Sequence, residues 1–158
     1  MQRLFMDAKN YMALALKEAQ KAFLEDEVPV GAVIVNAKTG KVLAKAHNKT
    51  EHGGDPTKHA EILAIQKACK KLEEKRLWDC DMYVSLEPCT MCAAAIAFAR
   101  IGKLFIGATD EKGGAVLNGV RFFESKTCHF KPEVYEGILA AESQKLLQEF
   151  FKNKRSKI

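Results

Sequence analysis

The 158-residue sequence has no apolar run that approaches the ~20 residues needed to span a bilayer. Its N-terminal stretch lacks the layout of a signal peptide, because charged residues such as Asp7 and Lys9 interrupt the apolar ones. Five cysteines, an odd number, argue against a complete disulfide framework. We therefore expect a cytoplasmic protein without membrane association, in which paired cysteines are metal ligands rather than disulfides.

Residues 1–158 show no internal repeat, low-complexity stretch or linker, and we expect them to form one domain. The 47% of hydrophobic and 28% of charged residues are typical of a globular protein and argue against a disordered or collagen-like chain. A net charge of +5 permits a polyanionic partner without requiring one. The C-terminal stretch FFKNKRSKI is more informative, because it carries four cations and no acid.

Apolar periodicity predicts helices and strands that alternate after an opening hairpin. The predicted helices cover residues 6–24, 57–74, 89–100 and 139–155, and the predicted strands cover residues 30–35, 41–48, 82–86 and 103–108. This order predicts an α/β sandwich with a mixed sheet and helices on both faces. Residues 109–132 form a long connection, and long connections in compact domains are commonly functional.

Two of these helices carry more specific expectations. We expect Thr57 or Asp55 to cap the start of the second helix. Its apolar stripe is predicted to consist of Ile62, Ile65, Cys69 and Leu72. The third helix is rich in alanine and apolar nearly all round, so it is predicted to be buried.

Two short motifs contain the candidate metal-binding and catalytic residues. His59-Ala60-Glu61 opens the second helix, and Pro88-Cys89-Thr90-Met91-Cys92 follows the third strand. Each motif alone is weak, since H-x-E and C-x-x-C both occur by chance. In this order they match the H-x-E … P-C-x-x-C signature of zinc-dependent nucleobase deaminases.

The physics of the two motifs supports a metal site. Cys89 and Cys92 are three residues apart, so at a helix start both sulfurs face the same side. The partial positive charge of a helix N-terminus favours thiolate. With His59 they supply three zinc ligands and leave one place open, as catalytic sites do. Glu61 is then expected beside that open place, where it shuttles protons.

A structural zinc site is the alternative for the cysteine pair. It would need a further Cys or His pair, and the other cysteines and histidines offer only the adjacent Cys128 and His129. Cys69 and Cys80 are expected to be small buried residues. Taken alone, His59 would be read as a capping or core histidine and Glu61 as a solvated acid on a helix face.

The chain resembles the bacterial tRNA-specific adenosine deaminases, within the cytidine-deaminase-like superfamily. The resemblance runs through residues 27–35, 47–48, 55–65, 83–96, 99–115 and 136–155, nearly the whole chain. It implies a three-layer α/β/α sandwich with a mixed five-stranded sheet. It also implies one Zn²⁺ per subunit, a homodimer, and conversion of adenosine to inosine at the wobble position of a tRNA anticodon, chiefly that of an arginine tRNA.

The resemblance also implies substrate contacts. Asn48 should hold the purine, with Val30 and the backbone near Ala60 lining its pocket. Asp110 and Lys112 should meet neighbouring nucleotides of the anticodon stem-loop. The RNA groove should be bordered by Phe150, Phe151, Lys154 and Arg155. After Lys112 the sequence GGAVLNGVRFFESKTCHF departs from the small-residue pattern common in the family.

Three other functions compete with this one. A deaminase of free guanine, cytosine or a nucleotide would share the zinc chemistry without needing the basic C-terminal helix. A catalytically silent partner subunit would bind RNA only, and such subunits often lack the glutamate that Glu61 provides here. A zinc-bound interaction module is the third alternative.

Overall fold

The computed structural model describes the backbone of residues 2–156 and the side chains of residues 7–156. Within this range the structure has the four predicted α-helices and five strands, one strand more than the apolar periodicity predicts. They are α1 (Gln2–Leu24), β1 (Gly31–Asn36), β2 (Val42–His47), α2 (Ala60–Leu72), β3 (Cys80–Leu86), α3 (Thr90–Ala99), β4 (Lys103–Ala108), β5 (Glu133–Tyr135) and α4 (Ala140–Ser156). A short 3-10 helix, Phe122–Glu124, lies in the long connection.

The five strands form one mixed sheet in the order β2-β1-β3-β4-β5. β1 pairs antiparallel with both β2 and β3, and the parallel pairs are β3 with β4 and β4 with β5. The predicted hairpin of β1 and β2 is therefore confirmed. The short fifth strand, which the periodicity did not locate, is Glu133–Tyr135 at the sheet edge.

Helices cover both faces of the sheet, which confirms the three-layer α/β/α sandwich. Val33, Val35 and Phe105 pack with α1 in one buried cluster, whereas Ile34 and Ile106 pack with α2 and α3 in another. The side-chain alternation of the strands thus divides the core into two halves. None of the helices in residues 2–156 combines the length and apolar character that a membrane span requires.

The second helix differs from the expectation at its start. It begins at Ala60 rather than Thr57, and His59 is the residue that precedes it. Asp55 Oδ1 accepts hydrogen bonds from the N–H of Thr57 at 2.8 Å and from its hydroxyl at 2.6 Å, so these residues form a turn before the helix. The predicted cap was therefore wrong, and His59 is left outside the helical backbone.

The buried faces of α2 and α3 were also only partly predictable. Small residues face the sheet in α2, and its fully buried side chains are Ala60, Glu61, Ala64 and Ala68. Leu72 of the predicted stripe is 38% exposed. The side chain of Phe98 on α3 is 68% exposed, so the expectation that this helix is buried all round fails on its outer face. Close approach of the α2 backbone to the sheet selects alanine over larger apolar residues.

Candidate metal centre and catalytic pocket

The two helix starts that carry the motifs meet at the carboxyl end of β3. His59 immediately precedes α2, and Cys89 immediately precedes α3. Both residues have extended backbone, and neither side chain caps its own helix. The imidazole and the thiol are therefore available to each other.

The three predicted ligands form one cluster. The Nδ1 atom of His59 lies 3.6 Å from the Sγ atom of Cys89 and 3.5 Å from that of Cys92. A tetrahedral zinc ion, with Zn–S near 2.3 Å and Zn–N near 2.0 Å, separates sulfur and nitrogen ligands by about 3.5 Å. Within the described side chains no carboxylate, cysteine or histidine completes a four-ligand set with these three. The cluster fits a metal ion with one open place.

The pKa values of the three groups are shifted by their mutual contacts, in the way expected of side chains that can bind a cation together. Hydrogen bonds from Cys92 and His59 lower the pKa of the Cys89 thiol to about 4. The Cys89 thiolate and burial raise the pKa of Cys92, since a second negative charge is disfavoured beside the first. The hydrogen bond to Cys89 raises the pKa of His59. A metal cation would replace the protons that hold these three groups together.

Glu61 lies in the first turn of α2 with its side chain 3% exposed. Burial raises the pKa of this carboxyl group to about 7, and the nearby Cys89 charge acts in the same direction. A carboxyl group with a pKa near neutral both accepts and releases protons readily. It therefore has the properties of a general acid and base beside the ligand cluster.

A cavity of about 260 Å³ opens directly over this cluster. Six of the predicted site residues line it: Val30, Asn48, His59, Glu61, Cys89 and Asp110. Five further lining residues were not anticipated: Val28, Thr50, Leu86, Glu87 and Gly113. Cys92 is fully buried beneath it, and Ala60 is part of the hydrophobic core rather than of the cavity wall.

Asn48 is one of the polar residues that line this cavity. Its backbone N–H donates to the Val30 carbonyl at 3.1 Å, which fixes the residue at the end of β2. Its side chain is 7% exposed, and no hydrogen bond joins its amide to the described side chains or backbone. Amide groups in proteins normally find hydrogen-bond partners. The Asn48 amide has none within the described range, so it is available to a ligand.

A larger groove of about 840 Å³ adjoins the cavity and shares Val28, Leu86, Asp110 and Gly113 with it. The groove brings Lys112 together with the C-terminal helix, which contributes Phe151, Lys154 and Arg155. With Asp110, five of the predicted RNA-facing residues therefore line the groove beside the cavity.

Phe150 differs from the other predicted residues of α4. It is 5% exposed and packs edge-on against Phe23, with ring centres 5.9 Å apart. It lines a smaller groove of about 380 Å³ that also contains His52. Phe151, at 45% exposure, presents the accessible ring of the pair. Lys154 forms an ion pair with Asp26 at 2.9 Å beside it.

Two buried glutamates were missed from the sequence: Glu87, which lines the cavity, and Glu27, which precedes the lining residue Val28. The Glu27 carboxylate accepts hydrogen bonds from the N–H groups of Glu51 and His52 at 2.9 and 2.8 Å. The Glu87 carboxylate accepts hydrogen bonds from the chain between residues 110 and 118. The available signal was an acid placed among apolar residues and prolines, in EVPV and SLEPC.

The comparison with protein families agrees with this site. Residues 6–155 match the sequence profile of the MafB19-like deaminases. The fold is also that of a guanine deaminase from Nitrosomonas europaea, at a TM-score of 0.75 and 22% identity over 90% of this chain and 83% of the other. The fold and the ligand cluster together define a deaminase.

Similar proteins at higher identity define the family. A tRNA-specific adenosine deaminase from Agrobacterium fabrum is 53% identical over 92% of this chain and 95% of its own length. A structure from studies of A-to-I editing by tRNA:A34 deaminases is 54% identical, with a TM-score of 0.85 over 87% of this chain and 99% of the other. The chain therefore belongs to the family of tRNA-specific adenosine deaminases.

Replacement of a predicted ligand should strongly weaken metal binding. We expect Cys92→Ala to weaken zinc affinity by more than the roughly 10–100-fold that is typical when an outer-shell partner is lost. The measurement is competition against a chromophoric chelator. Cys69→Ala, on the neighbouring helix α2, is the matched control and should bind zinc as the wild type does. Wild-type affinity in Cys92→Ala would contradict the assignment.

Proposed function

We propose that this chain is a zinc enzyme that converts adenosine to inosine at the wobble position of a tRNA anticodon, chiefly that of an arginine tRNA. The observation that best supports this function is a cavity next to both the three-ligand cluster and the buried Glu61. This cavity opens into a basic groove. Its relatives are named for this reaction. The protein would act in the cytoplasm as one domain, on tRNA.

His59, Cys89 and Cys92 would hold the zinc ion. Bound zinc supplies a Lewis acid that lowers the pKa of water from ~16 towards ~7. Glu61 accepts a proton from the attacking water and delivers protons to the ring nitrogen and the leaving amine. Water and adenosine thereby give inosine and ammonia. Asn48 orients the purine, since its amide faces the cavity.

The groove suits a nucleotide chain better than a free base. An enzyme that acts on a base must take it out of the stack, and anticodon-loop bases are readily splayed. Phe151 offers a ring for stacking, and Lys154 and Arg155 offer charge to phosphates. Asp110 and Lys112 lie where the cavity meets the groove, and would contact the nucleotides beside the adenosine.

An assay on paired substrates tests this function. The purified protein is incubated with an anticodon stem-loop that carries adenosine at the wobble position, and separately with guanine, cytosine and free adenosine. Inosine in the stem-loop is the expected product. Turnover of a free base alone would favour the small-molecule alternative. Zinc-loaded protein that binds RNA without turnover would favour a silent partner subunit.

The outer face of α3 supports a homodimer. Phe98 is 68% exposed, and Met91, Ala94 and Ala95 next to it are only partly covered. An apolar helix face of this kind is typical of a protein interface. We infer that a second copy of the chain covers it, because the family resemblance implies a homodimer.

Replacing the central side chain of that face should dissociate the dimer. We expect Phe98→Asp to sediment as a monomer at concentrations where the wild type sediments as a dimer, because it buries an unpaired charge. Leu24→Asp, at another exposed apolar position, is the control. A wild-type protein that is monomeric in the ultracentrifuge would contradict the dimer.

Removal of the Glu61 carboxylate should stop turnover without loss of metal binding. We expect Glu61→Gln to keep zinc but to lose about 10²–10⁴-fold in kcat, since an amide does not relay protons. Inosine formation and metal content are measured on the same preparation. Glu74→Gln, an exposed acid after the same helix, should retain full activity. Near-normal turnover in Glu61→Gln would remove Glu61 from the mechanism.

The basic residues of α4 should contribute through phosphate contacts. We expect the double variant Lys154→Ala/Arg155→Ala to weaken stem-loop binding and to reduce the salt dependence by roughly 0.7 for each lost contact with single-stranded RNA. The slope of log K against log salt is the measurement. Lys70→Ala/Lys71→Ala on α2 is the charge-matched control. Equal slopes in both variants would remove α4 from the RNA site.

A further inference from the structure

Glu87 lies between the end of β3 and the ligand Cys89, and its side chain is 3% exposed. Its backbone N–H donates to the Ala108 carbonyl at the end of β4, at 2.8 Å. The residue is thus held rigidly by the two central parallel strands. Its carboxylate points away from them into the connection that follows β4.

The carboxylate accepts five hydrogen bonds from one short piece of chain. Oε1 accepts from the Asp110 N–H at 3.0 Å and from the Asn118 side-chain amide at 2.8 Å. Oε2 accepts from the N–H groups of Val116, Leu117 and Asn118 at 3.1, 3.0 and 3.0 Å. All five donors belong to residues 110–118, which we call the 110–118 segment.

The backbone of this segment is shaped around the carboxylate. The Gly114 N–H donates to the Asp110 carbonyl, and the Ala115 N–H donates to the Pro88 carbonyl, both at 2.9 Å. A Cβ atom at Gly114 would collide with the Glu87 carboxyl group and the Asp110 carbonyl oxygen. The absence of a side chain at Gly114 therefore lets the segment close over the buried charge.

The segment also forms one wall of the catalytic cavity. Asp110 and Gly113 line the cavity, and Lys112 lines the adjoining groove. Asp110 Oδ1 accepts hydrogen bonds from the N–H groups of Lys112 and Gly113 at 3.1 and 3.0 Å. The position of all three residues thus follows from where Glu87 holds Asp110.

We propose that Glu87 is a positioning residue whose carboxylate sets the conformation of the 110–118 segment, and with it the part of the site that meets nucleotides beside the reacting base. The conformational part rests on the hydrogen bonds alone, and the substrate part rests on the proposed function. The role is distinct from metal ligation and proton transfer, because the carboxylate faces backbone donors.

A glutamine at position 87 could not hold the 110–118 segment in the same way, because it has fewer hydrogen-bond acceptors than a carboxylate. A carboxylate offers two acceptor oxygens, whereas glutamine offers one oxygen and an NH₂ group that would face N–H donors. Glu87→Gln therefore leaves buried N–H groups unpaired at an almost unchanged side-chain volume. Glu124→Gln is the matched control: Glu124 lies exposed in the same connection, and no hydrogen bond or ion pair involves its side chain within the described range.

Hydrogen exchange on the zinc-loaded protein without RNA tests the conformational part. We expect Glu87→Gln to speed exchange of the amides at 116–118 by about tenfold or more, while Glu124→Gln leaves it unchanged. The zinc content should stay at the wild-type value in both variants. Unchanged protection at 116–118 in Glu87→Gln would overturn the proposal, whatever substrate the enzyme uses.

Kinetics on the anticodon stem-loop test the substrate part. We expect Glu87→Gln to raise KM about tenfold with a smaller change in kcat, since the ligands and Glu61 are untouched. Gly114→Ala, which retains Glu87 but displaces its carboxylate, should show the same exchange and KM changes. It also decides the question if Glu87→Gln fails to fold.

These experiments distinguish a failure of the proposed function from a failure of the role proposed for Glu87. Wild-type protein that leaves the stem-loop unmodified would refute the proposed function, and hydrogen exchange would still decide the role of Glu87. Wild-type KM in variants with a loosened segment would overturn the substrate part of the proposal.

Discussion

The contact of one imidazole with two cysteine sulfurs at the end of β3 is the constraint on which the rest of the structure depends. His59 and Cys89 reach each other because two helices begin at the same edge of the sheet, and Cys92 follows one turn later. The sulfur–nitrogen separations of 3.5 and 3.6 Å are those of a tetrahedral metal site. Without a cation the three groups can only share protons, and burying polar groups with weak partners costs free energy.

Three buried glutamates, two of which line the cavity, differ in their environments and therefore in their chemistry. Burial raises the pKa of Glu61 to about 7, which suits a proton carrier. Burial acts in the same direction on Glu27 and Glu87, but hydrogen bonds from surrounding N–H groups outweigh it and lower the pKa of both. Those two carboxylates stay charged and hold the chain at 51–52 and 110–118. One type of side chain thus gives a carboxyl group with a pKa near neutrality and two carboxylates that hold chain segments in place.

The cluster of His59 with two cysteines could be predicted because its two motifs match a known signature, and the layer order could be predicted because helices and strands alternate along the chain. The three-residue interval of Cys89 and Cys92 and the alternation of helices and strands are local properties. The buried face of α2 was missed, because alanines at 60, 64 and 68 are selected by close packing on the sheet rather than by hydrophobicity. The packing of Phe150 and the hydrogen bonds of Glu87 were missed for a related reason, since each depends on contacts with residues distant in sequence, Phe23 and Asn118.

Restoration of metal to stripped protein tests the central claim most directly. Protein freed of metal is titrated with Zn²⁺, and the inosine formed in an anticodon stem-loop is measured together with bound zinc. We predict that inosine formation rises in proportion to bound zinc and reaches its maximum at one ion per subunit. Inosine formation by the metal-free protein, or a fully loaded site that forms none, would contradict it.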